Sequence, residues 1–181
     1  MANLKDSPVF SKFNNYFTPS YAWKNIDNYL PKDKIIWEAC MLDSLQSNSP
    51  QYLTELGCQV VYDCNMDCLK NQPDNYDLII TNPPFETEIK KEILQRFYEI
   101  DKPFIIIMNS MNTYANYIRD IFKDNLDKLQ IITPCGKIHF HKLLENGELE
   151  YKTNTSFYCV YLCYKMDIEG SLFLPKLNIN K

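Results

Sequence analysis

The sequence predicts an α/β fold, a mainly parallel sheet with helices on both faces, and three observations carry that expectation. Short apolar runs alternate with segments of helical spacing along most of the chain, which is the pattern of βαβ units. The runs are apolar almost residue by residue, as in strands buried on both faces. Cys40, Asp63, Asn82 and Asn109 each fall at the predicted C-terminal end of a strand, where ligands bind in such sheets.

The elements follow in order. Residues 1–12 read as a loose arm. Thr18-Pro19 is a start signal for a helix over residues 20–30, and Pro31-Lys32-Asp33 breaks it. Residues 34–40 form a first buried strand. Ser49-Pro50 opens a helix through Leu56, with Gly57 as its C-terminal cap. Residues 58–62 form a second strand, ending in Asp63. A turn cluster at 71–75 precedes a third strand at 76–81, which runs directly into Asn82-Pro83-Pro84-Phe85. In residues 86–100, Ile89, Ile93, Leu94 and Phe97 share one helical face. After the break at Lys102-Pro103 come a strand at 104–108, a helix at 114–122, and strands at 129–133 and 156–164. No helix is evident between the last two strands, so they are expected to pair antiparallel at one edge. Residues 167–181 read as a peripheral tail.

At 181 residues and 45% hydrophobic, the chain suits one domain with a sizeable core, spanning residues 1–181. It is too short for a catalytic domain and a large separate recognition domain, so a substrate-reading surface must come from loops, termini or a partner. The formal charge of −4 argues against strong non-specific coating of duplex DNA, which proteins achieve through counterion release. A local basic stripe remains at Lys137, His139, His141 and Lys142. The segment from 135 to 155 is the expected substrate-facing insertion. There Gly136 permits a sharp turn, and Lys137 and His139 are candidate phosphate contacts. Seven cysteines, an odd number without paired CxxC units, predict neither disulfides nor a metal site. They point to an intracellular, reducing compartment. No apolar run approaches the roughly 18 residues needed to span a bilayer.

The sharpest chemical signal is the tetrad Asn82-Pro83-Pro84-Phe85. Two prolines lack the donor a sheet ladder needs, so the backbone leaves the sheet here and is held rigid while its carbonyls stay free to accept. A planar amino group has two hydrogens to donate. The Asn82 side-chain oxygen and the Pro83 carbonyl are suited to take one each, drawing the nitrogen toward a tetrahedral, more nucleophilic geometry. Phe85 offers a face for a planar ring, with a stacking value of roughly 1–3 kcal/mol.

In this context DLIITNPPF resembles motif IV of the adenine-type amino-methyltransferases. The stretch YFTPSYAWKNIDNYLPKDKIIWEAC resembles the cofactor-binding start of small phage and large-virus DNA adenine methyltransferases. The segments DKPFIIIM, KIHF and SFYCVYLCYKM fit later parts of that family, and the resemblance covers roughly residues 13 to 166. It implies a Rossmann-like class I methyltransferase fold with a seven-stranded type of sheet. The implied cofactor is S-adenosyl-L-methionine, and the implied reaction is methylation of the adenine amino group in DNA, catalysed by Asn82, Pro83, Pro84 and Phe85. Tyr16, Thr18 and Pro19 would hold the methionine part of the cofactor. Glu38, Ala39 and Cys40 would form the turn after the first strand, Asp63 would bond the ribose and Asp67 would contact the cofactor adenine. The nucleic-acid partner would be DNA rather than RNA, with a cytoplasmic or viral replication setting. The chain departs from the family where glycines normally follow the first acid. Here Ala39, Cys40, Met41, Leu42, Asp43 and Ser44 stand instead. That departure leaves open a catalytically silent binding subunit, and the tetrad itself leaves open adenine in RNA or a protein glutamine amide as acceptor.

Overall fold

A computed structural model describes residues 16–41, 48–143, 148–150, 156–170 and 172–173. The elements run β1 (Tyr16–Phe17), α1 (Ser20–Asn25), β2 (Ile35–Trp37), α2 (Ser49–Glu55), β3 (Gln59–Val61), β4 (Leu78–Thr81), α3 (Thr87–Ile100) and β5 (Phe104–Asn109). They continue with α4 (Asn116–Phe122), β6 (Leu129–Thr133), β7 (His141–Leu143), β8 (Leu149–Glu150), β9 (Cys159–Tyr164) and β10 (Leu172–Phe173). The main sheet has seven strands in the order β10-β6-β9-β5-β4-β2-β3. The pairs β3–β2, β2–β4, β4–β5 and β6–β10 are parallel, while β9 runs antiparallel to both β5 and β6. The expected antiparallel pair is therefore β6 with β9. It does not close the edge, because the two-residue β10 lies outside it.

Strand periodicity explains how both faces are covered. In β5, Phe104, Ile106 and Met108 point to one face, where α3 and α4 contribute Ile93, Leu94, Phe97, Ile118 and Phe122. Ile105 and Ile107 point to the other, where α1 and α2 contribute Ala22, Trp23 and Leu53. Consecutive residues of a strand face opposite sides, so a strand between two helical layers must be apolar throughout. Each buried large aliphatic or aromatic side chain contributes roughly 1.5–3 kcal/mol of apolar transfer.

Several boundaries differ from the sequence expectation for local reasons. The helix expected over residues 20–30 stops at Asn25, because the fully buried Ile26 leaves helical geometry (φ −110°, ψ 15°) and a 3₁₀ turn follows at Asp27–Tyr29. The first strand ends at Trp37: Glu38 N still donates to Val61 O (3.0 Å), but Cys40 N turns to Thr81 Oγ1 (3.1 Å). The third strand starts at Leu78, since Asp77 Oδ2 accepts from Ile35 N (2.7 Å) and so stands at the sheet end. The helix expected from Tyr114 begins at Asn116, after a 3₁₀ turn at Ser110–Tyr114. Gly57 follows α2 with φ +86°, the left-handed geometry that suits a glycine cap.

A second, three-stranded sheet, β1-β7-β8, is antiparallel. Strands of two or three residues are too short to show a period, so the sequence gives no sign of it. It ties Tyr16–Phe17 to the segment at His141–Leu143. In the tail, Ile168 is buried and β10 occupies the outer edge of the main sheet. The N-terminal arm and Leu42, Asp43 and Ser44 lie outside the described residues.

Candidate active site

The parallel strands β2, β4 and β5 deliver Glu38, Asn82 and Asn109 to one end of the sheet. Thr81, the last residue of β4, is fully buried, and the prolines then take the backbone off the ladder. Pro83 and Pro84 are buried and Asn82 is half-buried. The Oδ1 atom of Asn82 is buried and has no hydrogen-bond donor among the described residues. A buried carbonyl oxygen without a donor costs roughly 1–3 kcal/mol, which a ligand N–H would relieve.

Phe85 stands in an aromatic nest assembled from distant segments. Its ring centroid lies 4.9 Å from Phe157, 5.3 Å from Phe140 and 5.8 Å from Tyr16, the last two edge-on. The small sheet explains the assembly, since it brings Tyr16 beside the end of the 137–140 segment. Beneath the tetrad, Lys90 on α3 is wholly buried, and its Nζ donates to Phe85 O (3.1 Å) and lies 5.7 Å from the Phe85 ring centroid. Burial lowers the Lys90 pKa to about 8. The same desolvation pushes Cys159 up to about 12, against the lowering pull of Lys90.

Beside the tetrad, Glu38 is buried, and its Oε1 accepts from Thr81 Oγ1 and from Cys40 N (3.4 Å). Burial pushes its pKa up to about 7, although both hydrogen bonds favour the carboxylate. Cys40 Sγ lies 3.9 Å from Cys68 Sγ, both being free thiols. Ala39 and Met41 are buried.

The acids after β3 use their carboxylates locally. Asp63 is exposed and its Oδ1 accepts from Asn65 N (2.8 Å). Asp67 is buried, with Oδ1 accepting from Leu69 N (3.1 Å) and Oδ2 paired to Lys70 Nζ (3.0 Å). Both act as turn caps. Thr18 and Pro19 are buried, and Pro19 O accepts a hydrogen bond from Ala22 N in the first turn of α1 (3.0 Å). His139 is fastened through its backbone N–H, which donates to Tyr21 Oη (2.6 Å). Lys137 Nζ lies 5.6 Å from the Tyr158 ring centroid.

Thus the structure brings Tyr16 and Phe85 into one cluster, links Glu38 and Cys40 to the residue preceding Asn82, and sets Asp63 and Asp67 on a separate turn beyond β3. Sequence reasoning did not single out Thr81, Lys90 and Phe157, and Phe140 entered only as the last residue of the KIHF segment. Lys90 left a signal of its own: it stands three residues before Ile93 and seven before Phe97, on the apolar stripe of its helix.

No protein-family model matches the sequence, and comparison with curated proteins finds no sequence match. Solved structures do match. One, a proposed class I S-adenosylmethionine-dependent methyltransferase from Listeria monocytogenes, aligns over 93% of this chain and 68% of its own with a TM-score of 0.55 at 11% identity. The fold is that of the Rossmann-like class I methyltransferases. A proposed RNA methyltransferase from Pyrococcus horikoshii aligns over 91% of this chain and 92% of its own, with a TM-score of 0.48 and 16% identity. At these identities the likeness concerns the fold.

Proposed function

We propose that the protein is an S-adenosylmethionine-dependent methyltransferase acting on the exocyclic amino group of adenine in a nucleic acid, DNA being the acceptor the motif resemblance implies. The observation that carries this reading is the buried Asn82 Oδ1, which has no donor among the described residues and sits next to a rigid Pro-Pro turn and an aromatic ring. An amide oxygen kept unsatisfied beside Phe85 suits an N–H donor on a planar ring. The Pro83 carbonyl is the second acceptor. Together they hold the nitrogen with its lone pair directed away from the two oxygens, and Phe85 fixes the plane of the base. Such positioning replaces much of the entropy cost of bringing two reactants together.

The donor groups at the neighbouring strand ends fit the cofactor in part. The exposed Asp63 carboxylate suits ribose hydroxyls, and Tyr16, which packs edge-on against Phe85, leads into the buried Thr18 and Pro19. Glu38, Ala39 and Cys40 form the turn that would face the cofactor. Asp67 would have to release a backbone N–H or Lys70 to bond an adenine. When bound, S-adenosylmethionine supplies an electrophilic methyl group on sulfur.

Incubation with methyl-labelled S-adenosylmethionine and a panel of DNA, RNA and protein acceptors tests the reading. Label recovered as N6-methyladenine is the expected result. Label in glutamine, or none in any acceptor while the cofactor still binds, would refute it.

A further inference from the structure

Large apolar side chains left in water mark interaction surfaces when they are contiguous. The three most exposed among the described residues are Tyr114 (75%), Met111 (70%) and Tyr158 (65%). They come from two segments that the main sheet places side by side. The 3₁₀ turn Ser110–Tyr114 leaves the end of β5, and Tyr158 immediately precedes β9, whose Cys159 pairs with Asn109. A backbone bond from Ser110 N to Tyr158 O (2.8 Å) joins them.

At Tyr158 this surface adjoins the candidate active site. Phe157 packs on Phe85 at 4.9 Å, and the next residue, Tyr158, faces out. Lys137 Nζ lies 5.6 Å from the centre of the Tyr158 ring. The chain therefore runs from the aromatic nest around Phe85 straight to the exposed Tyr158, which has a cation on its flank, and the backbone bond at Ser110 sets the turn that carries Met111 and Tyr114 next to it.

Resting on the reading given under Proposed function, we propose that Met111, Tyr114 and Tyr158 form a stacking platform for bases flanking the target adenine, and that the acceptor is single-stranded. Aromatic faces bind unpaired bases without regard to sequence, and a neighbouring lysine meets the intervening phosphate. A duplex presents no base faces outside its stack, and the target would have to be flipped out at a cost. Duplex binding also leans on neutralising many phosphates, to which a chain of net charge −4 is poorly suited. A short single strand, held mainly by stacking, needs only one or two cations.

Fluorescence anisotropy with the full chain and labelled adenine-containing 12-mers tests this. The probes are single-stranded DNA, single-stranded RNA and the DNA duplex of the same sequence. A single strand is expected to bind at least ~10-fold more tightly than the duplex, and the double variant Tyr114→Ala/Tyr158→Ala to weaken it by ~10-fold or more. Tyr114→Phe/Tyr158→Phe should restore binding, because the ring face and not the hydroxyl is used. Calorimetric affinity for S-adenosylmethionine should be the same in all variants, which checks their folding. Equal binding of duplex and single strand, no oligonucleotide binding at all, or no effect of the alanine pair overturns the platform. Tyrosine-dependent binding of single strands by a chain that transfers no methyl group would instead uphold the platform and refute the methyltransferase reading.

Discussion

The two halves of the candidate site are built differently. On the proposed acceptor side, after β4, Asn82 Oδ1 is buried without a donor among the described residues, and a rigid Pro-Pro backbone and three aromatic rings surround Phe85. On the proposed cofactor side, after β2 and β3, the carboxylates already accept bonds from their own chain: Glu38 from Thr81 and Cys40, Asp63 from Asn65, Asp67 from Leu69 and Lys70. A ligand entering the first half gives a partner to an unsatisfied oxygen. One entering the second half meets carboxylates that already hold bonds from their own chain, so its net gain per contact is smaller. The contrast matches the sequence, in which the tetrad is intact and the glycine turn is missing.

This asymmetry gives an order to the expected effects of substitution. Among substitutions that act through ligand binding, Phe85→Ala should act most strongly, because it removes a stacking face worth roughly 1–3 kcal/mol. Steady-state kinetics should show a rise of about tenfold or more in KM for the oligonucleotide, with cofactor affinity unchanged. An unchanged KM would remove Phe85 from the acceptor half. Asp63→Ala should have a smaller effect, confined to the other half. Calorimetry should find cofactor binding weakened by less than about tenfold, since a hydroxyl bonding this exposed carboxylate only exchanges for a bond to water. Loss of oligonucleotide binding without loss of cofactor binding would invert the assignment.

The smallest effect concerns stability and pH. Burial raises the Glu38 pKa from 4.5 to about 7, so between those values the folded chain binds more protons than the unfolded one. Stability from this group is therefore fully present below about pH 4.5 and is lost as pH rises through about 7. Glu38→Gln should flatten that fall, so that the variant melts higher than the parent at pH 8 and close to it at pH 4.5. A parallel pH dependence in both proteins would show that Glu38 is not the titrating group.

The tetrad was legible because proline chemistry forbids the strand from continuing, and the fold was legible because doubly covered strands must be apolar at every position. The aromatic nest was not, since Tyr16, Phe85, Phe140 and Phe157 come from four segments that only the folded sheets bring together. The Glu38–Thr81 link joins residues 43 positions apart, and no local period announces such a pair. Asp63 drew notice by its place at a strand end and Asp67 through the family resemblance; a short loop also needs caps for its own N–H groups, and both residues serve that local need as well.

Single-turnover methyl transfer to an adenine-containing oligonucleotide by the parent and by Asn82→Ala, with nucleoside analysis of the product, probes the central claim most directly. Removing one preorganised hydrogen-bonding group that acts on the reacting centre lowers rates by about 10²–10³-fold. The parent should form N6-methyladenine, and the variant should be slower by that order while binding S-adenosylmethionine normally. Transfer at the parental rate by Asn82→Ala would contradict the account.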